Sequence, residues 1–369
     1  MISIMCAKTR VVVAMSGGVD SSLTAALLVH QGYDVIGATM QIWDNQSSQD
    51  DPEHRGCCSL SAVDDARRVA EKIGIPYYVL NFREMFQDTV VNYFIREYAA
   101  GKTPNPCIAC NRYVKFAGLL QRSMALGAEY VATGHYACIE YDEQRRRYLL
   151  RKGIDQTKDQ SYALYHLNQH TLQHFLMPLG KYNKTTTRQL AREIGLAVAN
   201  KPDSQEICFV PNDDYKSFLA EKAPAALKPG KIVDVRGNVL GTHQGLPLYT
   251  VGQRKGLGLA AGKPLYVVEL DFTANTVVVG SNEDVFASEL FANDLNFIAI
   301  DPPVEAIRVE AKIRYSAQPA AAVISPLPGG TTVHVVFDKP QRAITPGQSV
   351  VFYDGDIVIG GGTIAKVVR

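Results

Sequence analysis

The sequence has almost no excess of charge of either sign, and it lacks an apolar run long enough to cross a membrane. Its 369 residues include 38 lysines and arginines against 37 aspartates and glutamates, a net charge of +1. Any preference for a polyanion must therefore come from local patches. Without an apolar run of about 20 residues or a signal-like apolar core, the sequence predicts a cytoplasmic protein with no membrane partner.

Cysteine is scarce and odd in number. The seven cysteines are Cys6, Cys57, Cys58, Cys107, Cys110, Cys138 and Cys208. An odd count in a chain expected in the cytosol argues against a framework of structural disulfides. It leaves room for reactive thiols or for a bound metal.

Apolar segments of strand type and of helix type alternate along the first part of the chain. The predicted strands are residues 10–15, 33–40, 77–80 and 130–133, and the predicted helices are residues 21–31, 62–73, 92–99 and 114–126. This alternation predicts an α/β fold with a doubly wound parallel sheet. Ligands bind such sheets outside the carboxyl ends of the strands.

The pattern changes near residue 210. A linker rich in Ala and Pro (residues 222–230) precedes short β-type runs at residues 264–270, 276–279, 307–314, 331–337, 349–353 and 363–368. Gly, Pro and Asn separate these runs, which is typical of small β-barrels. We therefore predict a catalytic domain over residues 1–211, a smaller β-rich domain over 212–286 and a β-barrel over 287–369.

A glycine-rich loop follows the first predicted strand. Residues 16–22 read Ser-Gly-Gly-Val-Asp-Ser-Ser, and glycines let backbone N–H groups approach phosphate oxygens beside the positive end of a helix. The loop lacks the lysine of the common nucleotide-hydrolase loop. Its Asp20 suits a magnesium-bound pyrophosphate instead. The competing interpretation is a plain helix cap, which requires only one of these polar residues.

Further motifs accompany this loop. They are Gly-Cys-Cys-Ser at 56–59, Thr-Pro-Asn-Pro-Cys-Ile-Ala-Cys-Asn at 103–111, Thr-Gly-His-Tyr at 133–136, Asp-Gln-Thr-Lys-Asp-Gln-Ser-Tyr at 155–162, Lys-Pro-Asp-Ser-Gln-Glu-Ile-Cys-Phe at 201–209 and Gly-Leu-Pro-Leu-Tyr-Thr-Val-Gly-Gln-Arg-Lys-Gly at 245–256. The loop alone resembles the pyrophosphatase loop of the adenylating PP-loop superfamily. Together the motifs resemble the tRNA-specific 2-thiouridylase family of the bacterial MnmA type over essentially the whole chain.

The resemblance implies an ATP-dependent tRNA-uridine 2-sulfurtransferase that uses ATP and Mg²⁺. Its members adenylate O2 of the wobble uridine at tRNA position 34 and release pyrophosphate. Sulfur then replaces the activated oxygen at C2, and AMP leaves. The implied partners are tRNAs for lysine, glutamate and glutamine and a sulfur donor, either a cysteine desulfurase or a relay protein. The alternatives are another PP-loop ligase acting on a metabolite, and a non-catalytic tRNA- or nucleotide-binding protein.

The same resemblance assigns roles to individual residues. Cys208 matches the position that carries the persulfide, and Cys110 matches the partner thiol that forms a disulfide with it. The implied ATP-binding residues are Ala14, Met15, Ser16, Gly17, Gly18, Val19, Asp20, Ser21, Met40 and Gly134. The residues that match contacts with the target base and the tRNA are Asn105, Pro106, Cys107, His135, Lys158, Asp159, Gln160, Arg314, Tyr315 and Gln348. Lys181, Lys184 and Arg188 on one helix face, with Arg254 and Lys255, form a candidate basic footprint for RNA.

Cys107 departs from the family pattern, in which many members have aspartate. The general acid–base role often given to that aspartate is therefore in doubt here. With Cys110 and Cys208, Cys107 provides three thiols that could hold a [4Fe-4S] cluster with an open iron for hydrosulfide. Zinc is a competing metal, and persulfide chemistry without any metal is the remaining interpretation.

Overall fold

The structure is a computed structural model that describes residues 8–42, 60–203, 207–259 and 262–369. Several sequence predictions fall outside these ranges. They concern Cys6, the Gly-Cys-Cys-Ser motif at 56–59 with Cys57 and Cys58, and residues 204–206.

Helices and strands are numbered along the chain. The α-helices are α1 (Val19–His30), α2 (Leu60–Ile73), α3 (Arg83–Phe86), α4 (Asn92–Ala99), α5 (Pro106–Ala109), α6 (Leu119–Ala125), α7 (Gln169–Gln173), α8 (Lys184–Glu193) and α9 (Tyr215–Lys222). The first strands are β1 (Arg10–Ala14), β2 (Asp34–Gln41), β3 (Tyr77–Asn81), β4 (Tyr130–Ala132), β5 (Ala137–Asp142), β6 (Arg147–Lys152), β7 (Phe175–Leu176), β8 (Gly230–Asp234) and β9 (Val239–His243). The others are β10 (Tyr266–Asp271), β11 (Thr276–Gly280), β12 (Phe286–Phe297), β13 (Ile307–Lys312), β14 (Ala320–Pro326), β15 (Val333–Arg342), β16 (Ser349–Asp354) and β17 (Ile357–Val368). None of the helices in the described ranges is long and apolar enough to traverse a lipid bilayer.

The chain divides into two compact units. Unit 1 contains the residues up to 90, residues 107–209 and residues 356–358. Unit 2 contains residues 91–106, 210–355 and 359–369. The division into three domains at 211 and 286 stays a prediction.

A five-stranded parallel sheet in the order β3-β2-β1-β4-β7 forms the centre of unit 1. Val11, Val12 and Val13 of β1 are fully buried, as expected for a central strand that is covered on both faces. Helices α1, α2 and α8 pack together on one apolar cluster of the sheet. The doubly wound parallel sheet predicted from the sequence is therefore confirmed.

The strands of this sheet end at one edge because they run in parallel. The loop at residues 15–18 follows β1, Met40 lies near the end of β2, and residues 133–135 follow β4. The polar motifs identified in the sequence therefore lie where ligands bind such sheets.

The helix predicted over 114–126 has a different form. Residues Cys110–Gly118 form a π-helix, and only Leu119–Ala125 (α6) continues as an α-helix. Gly118 lies where a Cβ would be 2.6 Å from Met85 Sδ and 2.9 Å from Phe82 Cε1, so its glycine permits close packing against α3. A pattern search at the α-helical period does not detect π-helical spacing, which is often found at functional sites.

Unit 2 contains two β-structures, as predicted. The strands β10, β11, β8 and β9 form a four-stranded sheet. The strands β12 to β17 form a six-stranded barrel, which closes because β12 pairs with both β15 and β17. The sequence pattern located β10, β11, β13, β15, β16 and β17 but not β8, β9, β12 or β14.

His166 is an unusual member of the core of unit 1. Both of its ring nitrogens are inaccessible to solvent and have no hydrogen-bond partner. Its ring meets that of Phe116 edge-on at 6.2 Å between centroids. Burial, with a smaller contribution from the charge of Arg112, lowers the pKa of His166 from 6.5 to about 3. The imidazole is therefore neutral in the folded chain at any physiological pH.

Replacing His166 with phenylalanine is expected to stabilise the chain more at pH 5 than at pH 8. The folded pKa lies below the unfolded one, so the unfolded state binds the proton more readily, and stability is lost as the pH falls from about 6.5 toward 3. At pH 5 the wild-type histidine costs about 2 kcal/mol of unfolding free energy that phenylalanine does not. Urea unfolding at both pH values measures this, with a His170→Phe variant as the exposed control. An equal difference between variant and wild type at both pH values contradicts it.

Candidate active site

The loop between β1 and α1 turns sharply at Gly17. This residue has a φ of +67°, and a Cβ there would lie 2.2 Å from the carbonyl oxygen of Ala62. Gly18 is the N-cap of α1, and no side chain caps that helix end. The helices α7 and α8 differ, since Asn168 and Asn183 cap them. An uncapped N-terminus leaves backbone N–H groups for an anion, which disfavours the interpretation of the loop as a plain helix cap.

The serines of the loop bond to one another and to the Gly18 carbonyl, and neither caps the N–H groups of α1. Ser21 Oγ accepts a bond from the Ser16 N–H at 3.1 Å and donates to the Gly18 carbonyl at 3.3 Å. The hydroxyl oxygens of Ser16 and Ser21 are 3.3 Å apart. Ser16 itself is exposed whereas Ser21 is buried. Ser21 therefore fixes the loop shape, and Ser16 presents its hydroxyl at the surface of the loop.

Replacing Gly17 with alanine is expected to reduce ATP turnover at least about tenfold, because the new Cβ displaces the loop backbone from the phosphate position. Gly32 provides the matched control. It also has a positive φ, +91°, but nothing lies within 4 Å of its added Cβ. Gly32→Ala should cost only the left-handed strain of about 1 kcal/mol and retain turnover. Pyrophosphate release and thermal unfolding of both variants measure the effects, and equal turnover in the two variants would contradict the prediction.

A lysine bridges two carboxylates beside the loop. Lys184 Nζ lies 2.7 Å from Asp20 Oδ2 and 2.8 Å from Asp203 Oδ1. The hydroxyl of Tyr136 also donates to Asp20 Oδ1, at 2.8 Å, and bonds Thr187 Oγ1 at 3.1 Å. Burial, followed by the nearby Asp20 carboxylate, raises the pKa of Tyr136. Tyr136 therefore remains a neutral donor that holds Asp20 in place.

The Asp203 carboxylate pairs with three cationic side chains. Its carboxylate accepts from Lys158 Nζ at 2.8 Å, from Lys184 Nζ at 2.8 Å and from Arg188 Nη2 at 3.0 Å. Burial acts to raise its pKa, but the hydrogen bonds from Lys158 and Lys184 outweigh it and lower the pKa of Asp203 to about 2. Asp203 is therefore ionised at neutral pH and positions the amino groups beside the loop.

A second lysine contacts the loop from another side. Lys201 Nζ donates to the Gly17 carbonyl at 3.1 Å and to Asp65 Oδ2 at 2.7 Å. Although burial raises the pKa of Asp65, its bonds with Lys201 and Arg68 lower that pKa overall. The ammonium groups of Lys184 and Lys201 therefore lie beside a loop that contains no lysine.

The structure brings the predicted nucleotide residues together within unit 1. Gly134 abuts the start of α1, where a Cβ would be 2.8 Å from both Asp20 C and Ser21 N. Met40 is half-buried near the carboxyl end of β2, and Ala14 is the last residue of β1. Met15 and Val19 are buried. Whether each of these residues contacts a nucleotide stays a prediction.

His135 follows Gly134 and packs against the ring of Phe116. Its Nδ1 is 2.9 Å from Thr133 Oγ1, and its ring lies 5.6 Å from that of Phe116. Burial, followed by the charges of Lys115 and His166, lowers its pKa to about 3. A neutral His135 can donate or accept a hydrogen bond, but it does not provide a cation.

The predicted thiols lie in unit 1 on different elements. Cys107 is exposed on α5, Cys110 is half-buried at the start of the π-helix, and Cys208 is half-buried in a turn. Across the described ranges, which include all three, no group of three or more Cys, His, Asp or Glu side chains is arranged to hold a metal. Whether these three thiols hold a cluster, zinc or no metal stays a prediction.

The predicted tRNA residues of unit 1 serve partly to build the site. Lys158 pairs with Asp203. Asp159 is buried and accepts bonds from the N–H groups of Gly153 and Ser161. Gln160 accepts from the Tyr136 N–H at 2.9 Å. These contacts stabilise the turn that orients Tyr136, and contact with RNA stays a prediction for all three residues.

The other predicted tRNA residues belong to unit 2. Arg314 and Tyr315 follow β13, and Tyr315 is exposed. Gln348 Nε2 donates to the Thr103 carbonyl at 2.7 Å. Asn105 is half-buried and Pro106, which begins α5, is buried. Arg254 and Lys255 of the basic footprint are exposed.

Sequence reasoning missed the charged network at the loop. It placed Lys184 and Arg188 on a basic face for RNA, whereas both pair with Asp203 and Lys184 also pairs with Asp20. Contact of this face with RNA stays a prediction. The Lys201-Pro-Asp203 motif was evident in the sequence, but the sequence assigned no role to Lys201 or Asp203. The motif was the only sequence signal for these two residues. Their contacts around the loop join segments that are distant in sequence, so they form only in the folded chain.

Three family models match along the chain. They are described as "tRNA methyl transferase HUP domain" over residues 9–212, "tRNA methyl transferase PRC-barrel domain" over residues 216–281 and "Aminomethyltransferase beta-barrel domain" over residues 287–364. The first covers more than half of the chain.

Similar curated proteins span the whole length. The tRNA-specific 2-thiouridylase MnmA of Acetivibrio thermocellus is 60% identical over 357 residues, which cover 97% of this chain and 99% of that protein. The protein of the same name from Heliobacterium modesticaldum is 61% identical over 362 residues, 97% of this chain and 93% of that protein. That of Clostridioides difficile is 56% identical over 360 residues, 97% and 98% of the two chains.

Proposed function

The chain belongs to the family of tRNA-specific 2-thiouridylases of the MnmA type, and from this premise we propose that it thiolates the wobble uridine of tRNA. It uses ATP to adenylate O2 of the base, and it then replaces that oxygen with sulfur. The observation that carries the proposal is the uncapped glycine loop with Asp20, Lys184 and Lys201 around it. Such a site stabilises a departing pyrophosphate.

The loop supplies the first half-reaction. The N–H groups at the start of α1 and the ammonium groups of Lys184 and Lys201 offset negative charge on the phosphates. Asp20 would hold Mg²⁺, which commonly takes one or two carboxylates together with phosphate oxygens. When bound, the ion neutralises pyrophosphate charge. The uracil oxygen attacks the α-phosphorus, and the bond to the β-phosphate breaks.

Lys184 has a particular place in this proposal. Without nucleotide it neutralises Asp20 and Asp203 together. If Asp20 held Mg²⁺, its carboxylate would be shared with the ion, and the Lys184 ammonium would then be able to contact a phosphate oxygen. Asp203, which Lys158 and Arg188 also bind, keeps it near the loop.

The cysteines supply the second half-reaction. Cys208 carries a persulfide, and its terminal sulfur attacks C2 of the adenylated uracil as AMP leaves with the former O2. The Cys110 thiolate attacks the inner sulfur of Cys208, so that a Cys110–Cys208 disulfide forms as the terminal sulfur is transferred. A cellular thiol then reduces the disulfide and restores both thiols. The half-buried positions of the two residues are compatible with this exchange.

Cys107 is exposed and close in sequence to Cys110. The family resemblance pairs Cys208 with Cys110 as persulfide carrier and partner thiol, and this pair can transfer sulfur without a metal. We therefore assign the sulfur to a persulfide and not to a [4Fe-4S] cluster. Active enzyme purified without oxygen is expected to contain less than about 0.1 iron and acid-labile sulfide per chain. Stoichiometric iron and sulfide that rise and fall with activity would contradict this assignment.

The partners follow from the same proposal. The substrates are the tRNAs for lysine, glutamate and glutamine, and the sulfur comes from a cysteine desulfurase or a relay protein in the cytoplasm. Nucleoside analysis of tRNA from a strain that lacks the gene tests the function. The expected result is loss of 2-thiouridine at position 34 with other modifications retained. Unchanged 2-thiouridine contradicts it, and loss of a methylated nucleoside instead would favour the activity named in the description of the first domain.

A further inference from the structure

The thiols of Cys107, Cys110 and Cys208 in unit 1 differ in their exposure to solvent. Cys107 is exposed, whereas Cys110 and Cys208 are half-buried. Within residues 106–111, all of which the structure describes, Cys107 is the only exposed residue. A protein-sized reagent therefore reaches Cys107 more easily than it reaches the other two thiols.

The chain around the first two of these thiols is anchored by its neighbours. Ile108 and Ala109, which lie between them, are buried. Asn111 is also buried, and its Nδ2 donates to the Ala163 carbonyl at 3.1 Å. Packing therefore fixes the difference in exposure between the two thiols.

Cys107 and Cys110 are three positions apart on continuous helical backbone. Cys107 lies in the single turn of α5, and Cys110 begins the π-helix that follows it directly. Helical residues with this spacing have Cβ atoms about 5–6 Å apart, and a disulfide needs about 3.5–4.5 Å. A local shift of about 1–2 Å would close the pair. The first turn of a helix can make such a shift, since its N–H groups have no partners within the helix.

Cys208 lies on a segment that packs against α3, as the π-helix of Cys110 does. The ring of Phe209, the next residue, meets that of Phe86 in α3 edge-on, with 5.9 Å between centroids. The π-helix contacts α3 through close packing at Gly118. This shared neighbour supports the disulfide that the proposed function assigns to Cys110 and Cys208.

That disulfide has to be reduced after every turnover, because Cys208 must accept a new persulfide. Both of its cysteines are half-buried. Reduction requires a thiolate to attack one of the two sulfurs, and access limits the rate of this attack. Cys107 is a thiol of the same chain that lies one helical turn from Cys110. It can attack without any reductant having to enter the interior.

We propose that Cys107 is the resolving thiol that resets the enzyme after each sulfur transfer. This role rests on the proposed function, which supplies the Cys110–Cys208 disulfide. The Cys107 thiolate attacks Cys110 Sγ, so that the Cys107–Cys110 bond forms as the Cys110–Cys208 bond breaks. Cys208 leaves as a thiolate that is ready to accept sulfur. This exchange moves a disulfide from a half-buried pair to a pair with one exposed sulfur.

The partner for the final step is a dithiol protein, which supplies the two electrons. One of its thiolates attacks the exposed Cys107 sulfur, and Cys110 leaves as a thiolate. The second thiol of the partner then attacks the mixed disulfide, which releases Cys107 and leaves the partner oxidised. All three cysteines of the chain are thiols again at the end of the cycle.

Turnover with two different reductants tests this role. The full chain is combined with tRNA, ATP, Mg²⁺ and a cysteine desulfurase supplied with limiting cysteine. The rate of later turnovers is divided by the rate of the first turnover of the same variant. With thioredoxin, its reductase and NADPH, this ratio should fall at least about tenfold in Cys107→Ser, because the exposed entry point for the dithiol is lost. With excess dithiothreitol, which is small enough to reach the half-buried disulfide, the ratio should return to the wild-type value.

Two matched variants separate the thiol from other roles of this position. Cys107→Asp introduces the residue that many family members have, and it should lower the ratio as Cys107→Ser does, since a carboxylate cannot form a disulfide. Cys138→Ser removes another half-buried thiol of unit 1 and should keep the wild-type ratio. A wild-type ratio in Cys107→Asp, with a lowered ratio in Cys107→Ser, would indicate acid–base chemistry and overturn the role of Cys107 in disulfide exchange.

Trapping of the thiols after one turnover without reductant gives the second readout. Alkylation and peptide mass spectrometry should find a Cys107–Cys110 disulfide with alkylated Cys208 in wild type, and a Cys110–Cys208 disulfide in Cys107→Ser. A Cys110–Cys208 disulfide with alkylated Cys107 in wild type, while 2-thiouridine forms, would overturn the resolving role and leave the proposed function intact. Thiolation without any disulfide would overturn both the resolving role and the persulfide mechanism. Absence of 2-thiouridine with wild type would contradict the proposed function itself.

Discussion

Replacing Cys208 with serine is expected to lower 2-thiouridine formation by more than about 10³-fold while ATP-dependent release of pyrophosphate continues. A serine hydroxyl cannot carry a persulfide, but it leaves the nucleotide loop unchanged. The two half-reactions should therefore separate. Mass spectrometry of tRNA nucleosides and a pyrophosphate assay on the same samples measure both. Cys110→Ser should give the same pattern, because the transfer needs the partner thiol as well.

Cys138 provides the control for this experiment. It is half-buried in β5, and burial is the main cause that raises the pKa of its thiol. A poorly ionised thiol is a poor nucleophile, so Cys138→Ser should form 2-thiouridine at the wild-type rate. Full activity in Cys208→Ser would refute the persulfide mechanism. Loss of pyrophosphate release together with thiolation would indicate that the substitution had damaged the nucleotide site.

Replacing Lys184 with methionine is expected to lower the rate of pyrophosphate release by about 10²–10³-fold, the usual effect of removing one donor that stabilises developing charge. Methionine has a similar length but no charge. Asp20 and Asp203 would then face each other without the ammonium group that lies 2.7 Å and 2.8 Å from them. Steady-state kinetics with ATP measure the change, and most of it should appear in kcat.

Two further variants sharpen this prediction. Lys184→Arg retains the charge and should recover part of the rate. Lys181→Met removes an exposed lysine just before α8 and should leave the rate of pyrophosphate release unchanged. If Lys184→Met only lowers thermal stability and leaves kcat intact, Lys184 is structural and the role assigned to it in adenylation is wrong.

The parallel sheet of unit 1 was predictable because its strands and helices follow strong local patterns. Val11, Val12 and Val13 form an unbroken β-branched run, and Gly32 and Gly74 follow helices at the expected positions. Strand β7 was missed because it has only two residues. Strand β14 begins with three alanines, and β12 is interrupted by Asp and Asn, so neither has the composition typical of strands.

The candidate site was predictable only in part. The glycine loop is continuous in sequence, so its residue types indicate phosphate binding directly. The Asp20–Lys184 pair joins residues 164 positions apart, and no local pattern relates them. The basic residues Lys184 and Arg188 were evident in the sequence, but their pairing with Asp203 was not. A helix face of Lys and Arg has the same sequence pattern whether it faces solvent or carboxylates. The π-helix at Cys110 likewise depends on packing against α3, which Gly118 permits.

The most direct test of the central claim uses tRNA that carries ¹⁸O at O2 of uridine 34. The purified chain is incubated with this tRNA, ATP, Mg²⁺ and a sulfur donor, and the nucleotides are analysed by mass spectrometry. Adenylation of the base predicts that the ¹⁸O appears in the phosphate of AMP, in an amount equal to the 2-thiouridine formed, with unlabelled pyrophosphate. Formation of 2-thiouridine with ADP and phosphate as products, or with AMP free of ¹⁸O, would contradict the account.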